Sequence, residues 1–293
     1  YTQVLGLRLV KKTVNQDDTS AYHLFYADGL ASPGTDLTFF DWPVGHERRG
    51  THSVSRTGLR VATLSTLEWW KARFAELKVK AGEIRDGGGR AARVFGAGEG
   101  ERCPVPVAAP GTPANPWEKS PVPAEHQIKG LGPITLSVPD IRNTEAVLVQ
   151  VMNMKETATY PNPDGEGEVH VFSMGDGGPA AELHVAVEPD LPAAHQGAGA
   201  VHHVAFRAPD VEALHAWTER LRGFRLPSSG EVERFYFRSL YFREPNGILF
   251  EIATDGPGFA VDEPLETLGE SLSLPPFLEP RRAQIEARLK PLA

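Results

Sequence analysis

The chain has a single cysteine, Cys103, among 293 residues, and this scarcity excludes an intrachain disulfide. Such cysteine usage is typical of proteins in a reducing compartment, so we predict a cytoplasmic location. No apolar stretch reaches the length of about 18 residues that a membrane-spanning helix needs, and no signal peptide is visible. The sequence therefore predicts neither a membrane partner nor a disulfide framework.

Basic runs and nucleotide-binding loops are absent too. The formal net charge is −8, and no cluster of Lys and Arg resembles a nucleic-acid contact surface. The glycine-rich stretch Gly96–Glu101 does not lead from a strand into an amphipathic helix, and its acidic residues would repel phosphate. We therefore expect a small-molecule substrate and no nucleic-acid partner. The sequence is also compatible with a homo-oligomer.

A repeated pattern divides the chain into similar units. Val138-Pro139-Asp140-Ile141 and Ala208-Pro209-Asp210-Val211, at an offset of 70 residues, each close a short strand and open a helical stretch. Each unit reads as a strand, a helix and three further strands, and the chain accommodates four such units. The second unit is expected to contain strand Gly58–Thr63, helix Leu67–Leu77 and a hairpin turn at Asp86–Gly89.

The first unit differs because its opening strand is not visible. Tyr1–Gly6 looks like the end of a helix, and Gln3–Arg8 parallels Gln150–Lys155 in the third unit. The same offset places the opening strand before Tyr1, so we expect a fragment of a longer protein. We predict that the units pair into domains. These are an N-terminal domain at 1–122, a C-terminal domain at 123–260, and a tail with a helix at 261–293.

Two potential metal ligands stand in runs that otherwise read as apolar strands, His203 in Val201–Phe206 and Glu251 in Gly247–Ala253. A lone His in a strand is more often core or surface, and a Glu can simply pair with an Arg. Burying this Glu among apolar neighbours is nevertheless costly unless a positive charge neutralises it. Strand alternation lets His203 and Glu251 both leave the apolar layer, whereas His202 lies with the apolar residues. The pair predicts a divalent metal site with a third ligand from elsewhere, as in two-histidine, one-carboxylate iron sites.

Longer stretches of the sequence carry a family resemblance. They are Gly6–Asn15, Tyr22–Asp28, Ser32–Thr35, His202–Arg207, Tyr236–Pro245 and Phe250–Phe259. Together they resemble the ring-cleaving dioxygenases of the vicinal oxygen chelate superfamily, which also contains glyoxalases and bleomycin-resistance proteins. The resemblance covers nearly the whole chain and is strongest to the branch that acts on hydroquinone-type substrates. It is weakest in Phe95–Val107.

The resemblance implies an α+β fold of four βαβββ modules in two domains with cupped mixed sheets, the first strand of module one being absent. It implies that the metal, Fe(II) with Mn(II) as the alternative, is held by His203, by Glu251 and by a His on the absent strand. It also implies an extradiol-type reaction in which O₂ opens the ring of a hydroquinone or catechol without an organic cofactor. Because one ligand would precede Tyr1, we expect the chain as given to bind metal poorly and to turn over little.

Such a reaction needs a group that manages the phenolic proton of the substrate. Tyr241 shares a strand face with Ser239 and Phe237 and is the first candidate. The alternative is a Tyr with its ring in the core and its hydroxyl in water. Arg234 opens the same strand and is the candidate for holding an anionic substrate, although a strand-end Arg is more often solvated. His202 is a weaker candidate for these roles, because strand alternation places it on the face of the apolar residues.

Other functions share the expected fold. A glyoxalase-like lyase or isomerase would use four ligands from paired modules, typically with Zn²⁺ or Ni²⁺, and two carboxylates at the site would indicate it. A metal-free binding protein of the resistance type needs no ligands, so His203 and Glu251 argue against it. An inactive, purely structural protein is a third alternative.

Some residues are expected to serve the structure alone. His184 occupies in the third unit the place that Glu251 holds in the fourth, but Thr135 fills its partner position, so a second metal site is not expected. Packing is the expected role of several aromatic residues and of a C-terminal helix. These are Phe235, Phe237, the Trp69-Trp70 pair and Glu279–Leu289.

Overall fold

The computed structural model describes residues 1–86, 91–97, 101–106, 113–163 and 165–292. Its strands and helices follow the predicted repeat, and the predicted turn at Asp86–Gly89 lies largely outside the described residues. None of the helices in these ranges combines the length and apolar character that a transmembrane span requires.

The first two units occupy the N-terminal part of the chain. The first has a short helix and three strands: α1 (Thr2–Leu5), β1 (Arg8–Val14), β2 (Tyr22–Ala27) and β3 (Leu37–Phe40). The second has the complete pattern: β4 (Ser53–Leu59), α2 (Leu64–Glu76), β5 (Ala81–Asp86), β6 (Ala91–Ala97) and β7 (Glu101–Pro106). The expected strand Gly58–Thr63 therefore begins five residues earlier than predicted, whereas helix α2 confirms the predicted Leu67–Leu77.

The last two units repeat the complete pattern. The third consists of β8 (Leu131–Val138), α3 (Ile141–Ala146) with a π-helical turn (Val147–Val151), β9 (Lys155–Pro161), β10 (Glu168–Ser173) and β11 (Glu182–Val187). The fourth consists of β12 (Val204–Ala208), α4 (Val211–Gly223), β13 (Ser228–Glu233), β14 (Arg238–Arg243) and β15 (Leu249–Thr254). A tail follows, with 3₁₀ turns at Phe259–Val261, Leu265–Thr267 and Glu279–Arg281 and helix α5 (Arg282–Glu286).

The repeated Pro-Asp pairs act as helix starts, as predicted. The Asp140 carboxylate accepts a hydrogen bond from the Arg142 amide at 2.9 Å, and the Asp210 carboxylate accepts one from the Ala213 amide at 2.8 Å. These side chains satisfy amide groups that have no partner within the first helical turn. Thr63 caps α2 in the same way, accepting from the Thr66 amide at 3.3 Å.

The strands form four sheets. β1, β2 and β3 make one antiparallel sheet, β5, β6 and β7 another, and the fourth unit forms a sheet of order β12-β15-β14-β13. The remaining sheet, of order β4-β8-β11-β10-β9, joins the second unit to the third through antiparallel pairing of β4 with β8. β12 and β15 lie side by side and parallel, which places the first and last strands of the fourth unit together.

The apolar side chains form separate clusters. Leu5 and Leu7 of the first unit pack with Leu67, Trp70 and Phe74 of the second. The third and fourth units share a larger cluster. A third cluster crosses the predicted boundary, because it joins Val10 and Phe25 of the first unit to Tyr236 of the fourth, and the β4–β8 pairing crosses residue 122 as well. The division into domains at 1–122 and 123–260 stays a prediction.

The C-terminal tail is anchored on the first unit. Ile285 of α5 packs with Val14 of β1, which agrees with the packing role expected for this helix. Lys11 of β1 is fully buried, and its Nζ lies 2.7 Å from Asp262 Oδ1, contacts Glu263 and sits 4.7 Å from the centre of the Tyr236 ring. A buried cation therefore connects the first unit, the fourth unit and the tail.

We expect Lys11→Met to lower the free energy of unfolding by about 3 kcal/mol or more, because it leaves two carboxylates without their partner in a largely buried setting. Urea unfolding followed by circular dichroism measures this loss. The control is Lys12→Met, since Lys12 Nζ bonds the exposed Glu270 carbonyl at 3.2 Å. Lys12→Met should lower the free energy of unfolding by less than about 1 kcal/mol. Equal losses in both variants would contradict a special role for Lys11.

Candidate metal centre

The predicted ligands His203 and Glu251 are in direct contact. Glu251 lies in the middle of β15 and is buried, and His203 lies immediately before β12, which begins at Val204 and not at the predicted Val201. His203 Nε2 is 2.8 Å from Glu251 Oε2. The parallel pairing of β12 with β15 is what brings these residues together, because Ala205 lies opposite Glu251 in the register.

The Glu251 carboxylate is held by β14 as well. Ser239 Oγ donates to Glu251 Oε1 at 2.5 Å, and Tyr241 is the direct cross-strand partner of Glu251. Burial raises the pKa of Glu251, but hydrogen bonds from His203, Ser239 and Tyr241 outweigh it and leave the pKa below its usual value. The carboxylate is therefore ionised at neutral pH, as a metal ligand must be.

Tyr241 and Arg234 lie beside this pair. Burial, together with the negative charge of Glu251, raises the pKa of Tyr241 to about 12, so its phenol is protonated at neutral pH. Arg234 Nε lies 3.4 Å from the Tyr241 hydroxyl, and its guanidinium stands 5.4 Å from the centre of the Tyr241 ring. Arg234 also pairs with Asp17 of the first unit at 2.9 Å. Tyr241 can donate a proton here, and Arg234 supplies a fixed positive charge.

His202 is not in the apolar layer, so the predicted position was wrong. Residues 202 and 203 precede the first strand residue, where the alternation of a strand does not apply, and His202 is exposed. His202 Nδ1 lies 2.9 Å from His203 Nδ1. One His203 nitrogen thus faces Glu251 and the other faces His202, which fixes the orientation of the ring.

The sequence analysis missed His23, which lies on β2 of the first unit. Its ring is partly exposed, but its Nε2 is buried and has no hydrogen-bond partner among the described residues. Burial, reinforced by the charges of His203, Arg234 and His202, lowers the pKa of His23 to about 3 despite the opposing effect of Glu251. His23 therefore lies within electrostatic range of His203, Glu251, Arg234 and His202. The alternation of residues in Tyr22–Asp28 indicates a strand and could have drawn attention to His23. The neighbouring sequence, however, does not indicate that this strand lies close to the fourth unit.

The donor atoms present fit a metal ion. Two neighbouring ligand atoms, each about 2.1 Å from a metal, lie roughly 3 Å apart, and His203 Nε2 and Glu251 Oε2 are 2.8 Å apart. Within the described ranges no group of three or more His, Cys, Asp or Glu side chains is arranged to hold a metal ion. The described residues thus offer a His–Glu pair, which is two of the three donors that a two-histidine, one-carboxylate site would need.

The corresponding place in the third unit is built differently. His184 Nδ1 lies 2.8 Å from the Tyr160 hydroxyl, and His184 Nε2 lies 3.3 Å from Glu182 Oε2. Thr135 is the strand neighbour of His184. Here the imidazole and the carboxylate come from one strand, β11, and the neighbouring strand offers a threonine, whereas His203 and Glu251 of the fourth unit come from two neighbouring segments.

The other aromatic residues pack as expected. Phe235 and Phe237 lie against a cluster that includes Phe25 and Phe259. Trp69 and Trp70 meet edge to face at 5.2 Å in the core of the second unit. None of the contacts named here involves the His203–Glu251 pair.

Sequence comparison places the chain among known proteins. Residues 130–252 match the profile of the Glyoxalase/Bleomycin resistance protein/Dioxygenase superfamily. MhqA of Bacillus subtilis, provisionally named a ring-cleaving dioxygenase, is 47% identical over 294 residues, covering 100% of this chain and 93% of MhqA. A chlorohydroquinone/hydroquinone 1,2-dioxygenase of Sphingobium indicum is 31% identical over 290 residues, covering 94% of this chain and 86% of that protein.

Comparison with solved structures agrees with the sequence comparison. A crystal structure of a Bacillus subtilis protein, provisionally called a dioxygenase, superimposes with a TM-score of 0.90 at 34% identity, covering 100% of this chain and 91% of that one. A glyoxalase I variant from Zea mays gives a TM-score of 0.62 at 16% identity, covering 87% and 86% of the two chains, which shows a shared fold alone. The fold is thus that of the glyoxalase class. Within it, the chain belongs to the ring-cleaving dioxygenase family of the Glyoxalase/Bleomycin resistance protein/Dioxygenase superfamily.

Proposed function

We propose that this protein is a non-haem Fe(II)-dependent dioxygenase that opens the ring of a hydroquinone- or catechol-type substrate in an extradiol-type reaction. The observation that carries the proposal is the buried Glu251 carboxylate in contact with His203 at 2.8 Å. The membership of the chain in a family of ring-cleaving dioxygenases supports the proposed class of reaction. Mn(II) is the alternative metal, because carboxylate and imidazole ligands also suit that ion.

In this proposal His203 and Glu251 hold the metal, which, when bound, supplies a template and a Lewis acid for a substrate hydroxyl and O₂. Ser239 keeps one oxygen of Glu251 engaged and so leaves the other to face His203. Tyr241 holds a proton at its hydroxyl and is placed to donate it to an oxygen of the substrate. Arg234 stabilises negative charge that develops beside that hydroxyl.

The rival functions make different demands on the site. A glyoxalase-like lyase or isomerase would need a four-ligand site with a second carboxylate. Among the described residues, His203 contacts one carboxylate, that of Glu251. A metal-free binding protein would gain nothing from a buried carboxylate facing an imidazole, because that carboxylate is costly to desolvate. The converging ligand pair therefore favours the dioxygenase.

We expect the iron-loaded protein that carries the strand expected before Tyr1 to consume one O₂ for each aromatic ring opened. An oxygen electrode with a panel of hydroquinones and catechols measures uptake, and absorbance of the ring-opened product gives the stoichiometry. A glutathione–methylglyoxal assay on the same preparation tests the lyase rival. No oxygen uptake with any diol, together with activity in the second assay, would favour the glyoxalase function instead.

A further inference from the structure

A row of aromatic rings lies on one face of the sheet of the first unit. His23 and Phe25 point to the same face of β2, and Phe40 of β3 is the cross-strand partner of His23. Ring centres are 4.0 Å apart for His23 and Phe25, 4.3 Å for His23 and Phe40, and 4.4 Å for Phe40 and Trp42. We call these four residues, Phe25, His23, Phe40 and Trp42, the aromatic row.

The aromatic row ends beside the metal-ligand pair. The His202 ring stands edge-on to Phe40 at 5.9 Å and to Trp42 at 5.7 Å, with interplanar angles of 81° and 65°. His202 Nδ1 lies 2.9 Å from His203 Nδ1. Only one imidazole therefore separates Trp42 from a metal ligand.

The two ends of the row differ in what covers them. Phe25 is 3% exposed and packs against Phe259 at 4.7 Å, so that end is closed by the core. Phe40 and Trp42 are partly exposed. Since Phe40 and Trp42 are stacked within 22° of parallel, a further ring can continue the stack at the Trp42 end.

One loop of the first unit fixes both sides of this opening. Between β1 and β2, the Asp18 carboxylate lies near the Trp42 side chain, whose interaction contributes to lowering the pKa of Asp18. The adjacent Asp17 pairs with Arg234 at 2.9 Å, and Gln16 donates to the Arg234 carbonyl at 2.7 Å. Three consecutive residues of this loop therefore contact Trp42 or Arg234, so the loop connects the indole with the guanidinium beside Tyr241.

We propose that Trp42, backed by Phe40, is the specificity-determining surface on which the aromatic ring of the substrate stacks. This inference rests on the proposed function, because it assigns the ring of an aromatic diol to a face next to His203. Stacking involves the substrate ring as a whole and not the reacting hydroxyl, so it contributes equally to the bound substrate and to the transition state. Such uniform binding lowers KM and leaves kcat nearly unchanged.

Kinetics of the iron-loaded protein test this assignment. Trp42→Leu should raise KM for hydroquinone by about 10-fold, with kcat and iron content close to those of the wild type. Trp42→Phe should restore most of the affinity, because it keeps a ring. The matched control is Trp69→Leu, since Trp69 also contacts an imidazole, that of His126 with ring centres 4.5 Å apart, but away from the His203–Glu251 pair. That control should leave KM unchanged.

Binding without turnover provides a second measurement. Under anaerobic conditions, hydroquinone should quench tryptophan fluorescence of the wild type and of Trp69→Phe, and quench it much less in Trp42→Phe. Cyclohexane-1,4-diol carries two hydroxyls but no aromatic face. It should compete poorly with hydroquinone in the wild type, and this discrimination should shrink in Trp42→Leu.

The outcomes separate this inference from the proposed function. A wild type that consumes O₂ with diols, alongside a Trp42→Leu variant of unchanged KM, overturns the stacking surface and leaves the dioxygenase intact. Quenching that persists in Trp42→Phe has the same meaning and does not depend on the stability of Trp42→Leu. A wild type that neither binds diols nor consumes O₂ overturns both.

Discussion

In a protein that carries the strand expected before Tyr1, Glu251→Ala and His203→Ala should each remove stoichiometric iron and abolish oxygen uptake. Each substitution deletes one donor of a pair whose atoms lie 2.8 Å apart, and replacing an outer-shell partner alone typically costs 10- to 100-fold in metal affinity. Loss of a direct ligand should therefore weaken iron binding by about 100-fold or more. Inductively coupled plasma mass spectrometry of the purified variants measures the iron.

The matched control for this experiment is His184→Ala in the third unit. His184 is also a buried imidazole beside a carboxylate, that of Glu182 at 3.3 Å, but its neighbour on the adjoining strand is Thr135, which leaves no ligand pair shared between two strands. Iron content should therefore stay at the wild-type level in His184→Ala. Full iron occupancy in both Glu251→Ala and His203→Ala would show that the metal is bound elsewhere.

Tyr241→Phe should retain its iron and lose about 10²-fold or more in kcat, the range expected when a general acid or base is removed. The Tyr241 phenol lies beside Glu251, and its hydroxyl is 3.4 Å from Arg234 Nε. Burial raises its pKa to about 12, so the phenol is protonated and can donate a proton. Single-turnover oxygen consumption, measured with the iron content of the same sample, separates a chemical defect from a loss of metal.

Tyr160→Phe is the control for the tyrosine experiment. The Tyr160 hydroxyl lies 2.8 Å from His184 Nδ1 in the third unit and not beside the His203–Glu251 pair, so its removal should leave kcat unchanged. A Tyr241→Phe variant within about threefold of the wild-type kcat would exclude Tyr241 as a proton donor. In that case its phenol would serve only to orient Glu251.

The candidate site lies at the junction of two units that are far apart in the sequence. The fourth unit contributes His203, Glu251 and Tyr241, and the first unit contributes Asp17 and the aromatic row. An aromatic diol at the Trp42 end of the row would thus be bounded by both units. Under the two proposals, the fourth unit would bind the metal and the first unit would recognise the aromatic ring.

Local patterns were sufficient for much of the fold. The repeated Pro-Asp pairs marked helix starts because an Asp carboxylate caps free amides wherever it occurs. Alternation of apolar residues identified β12 and β15, and the cost of burying Glu251 distinguished it from its neighbours. Alternation misplaced His202, however, because the strand begins one residue after His203 and the preceding backbone has no two-residue period.

By itself, the sequence determined the four repeated units, the family resemblance and the pairing of His203 with Glu251, since both residues belong to one unit whose first and last strands are neighbours. Only the tertiary structure decided that His23, Phe40 and Trp42 approach that pair. They lie on a different sheet, and the packing of one sheet against another depends on the shapes of whole surfaces and leaves no period in the sequence.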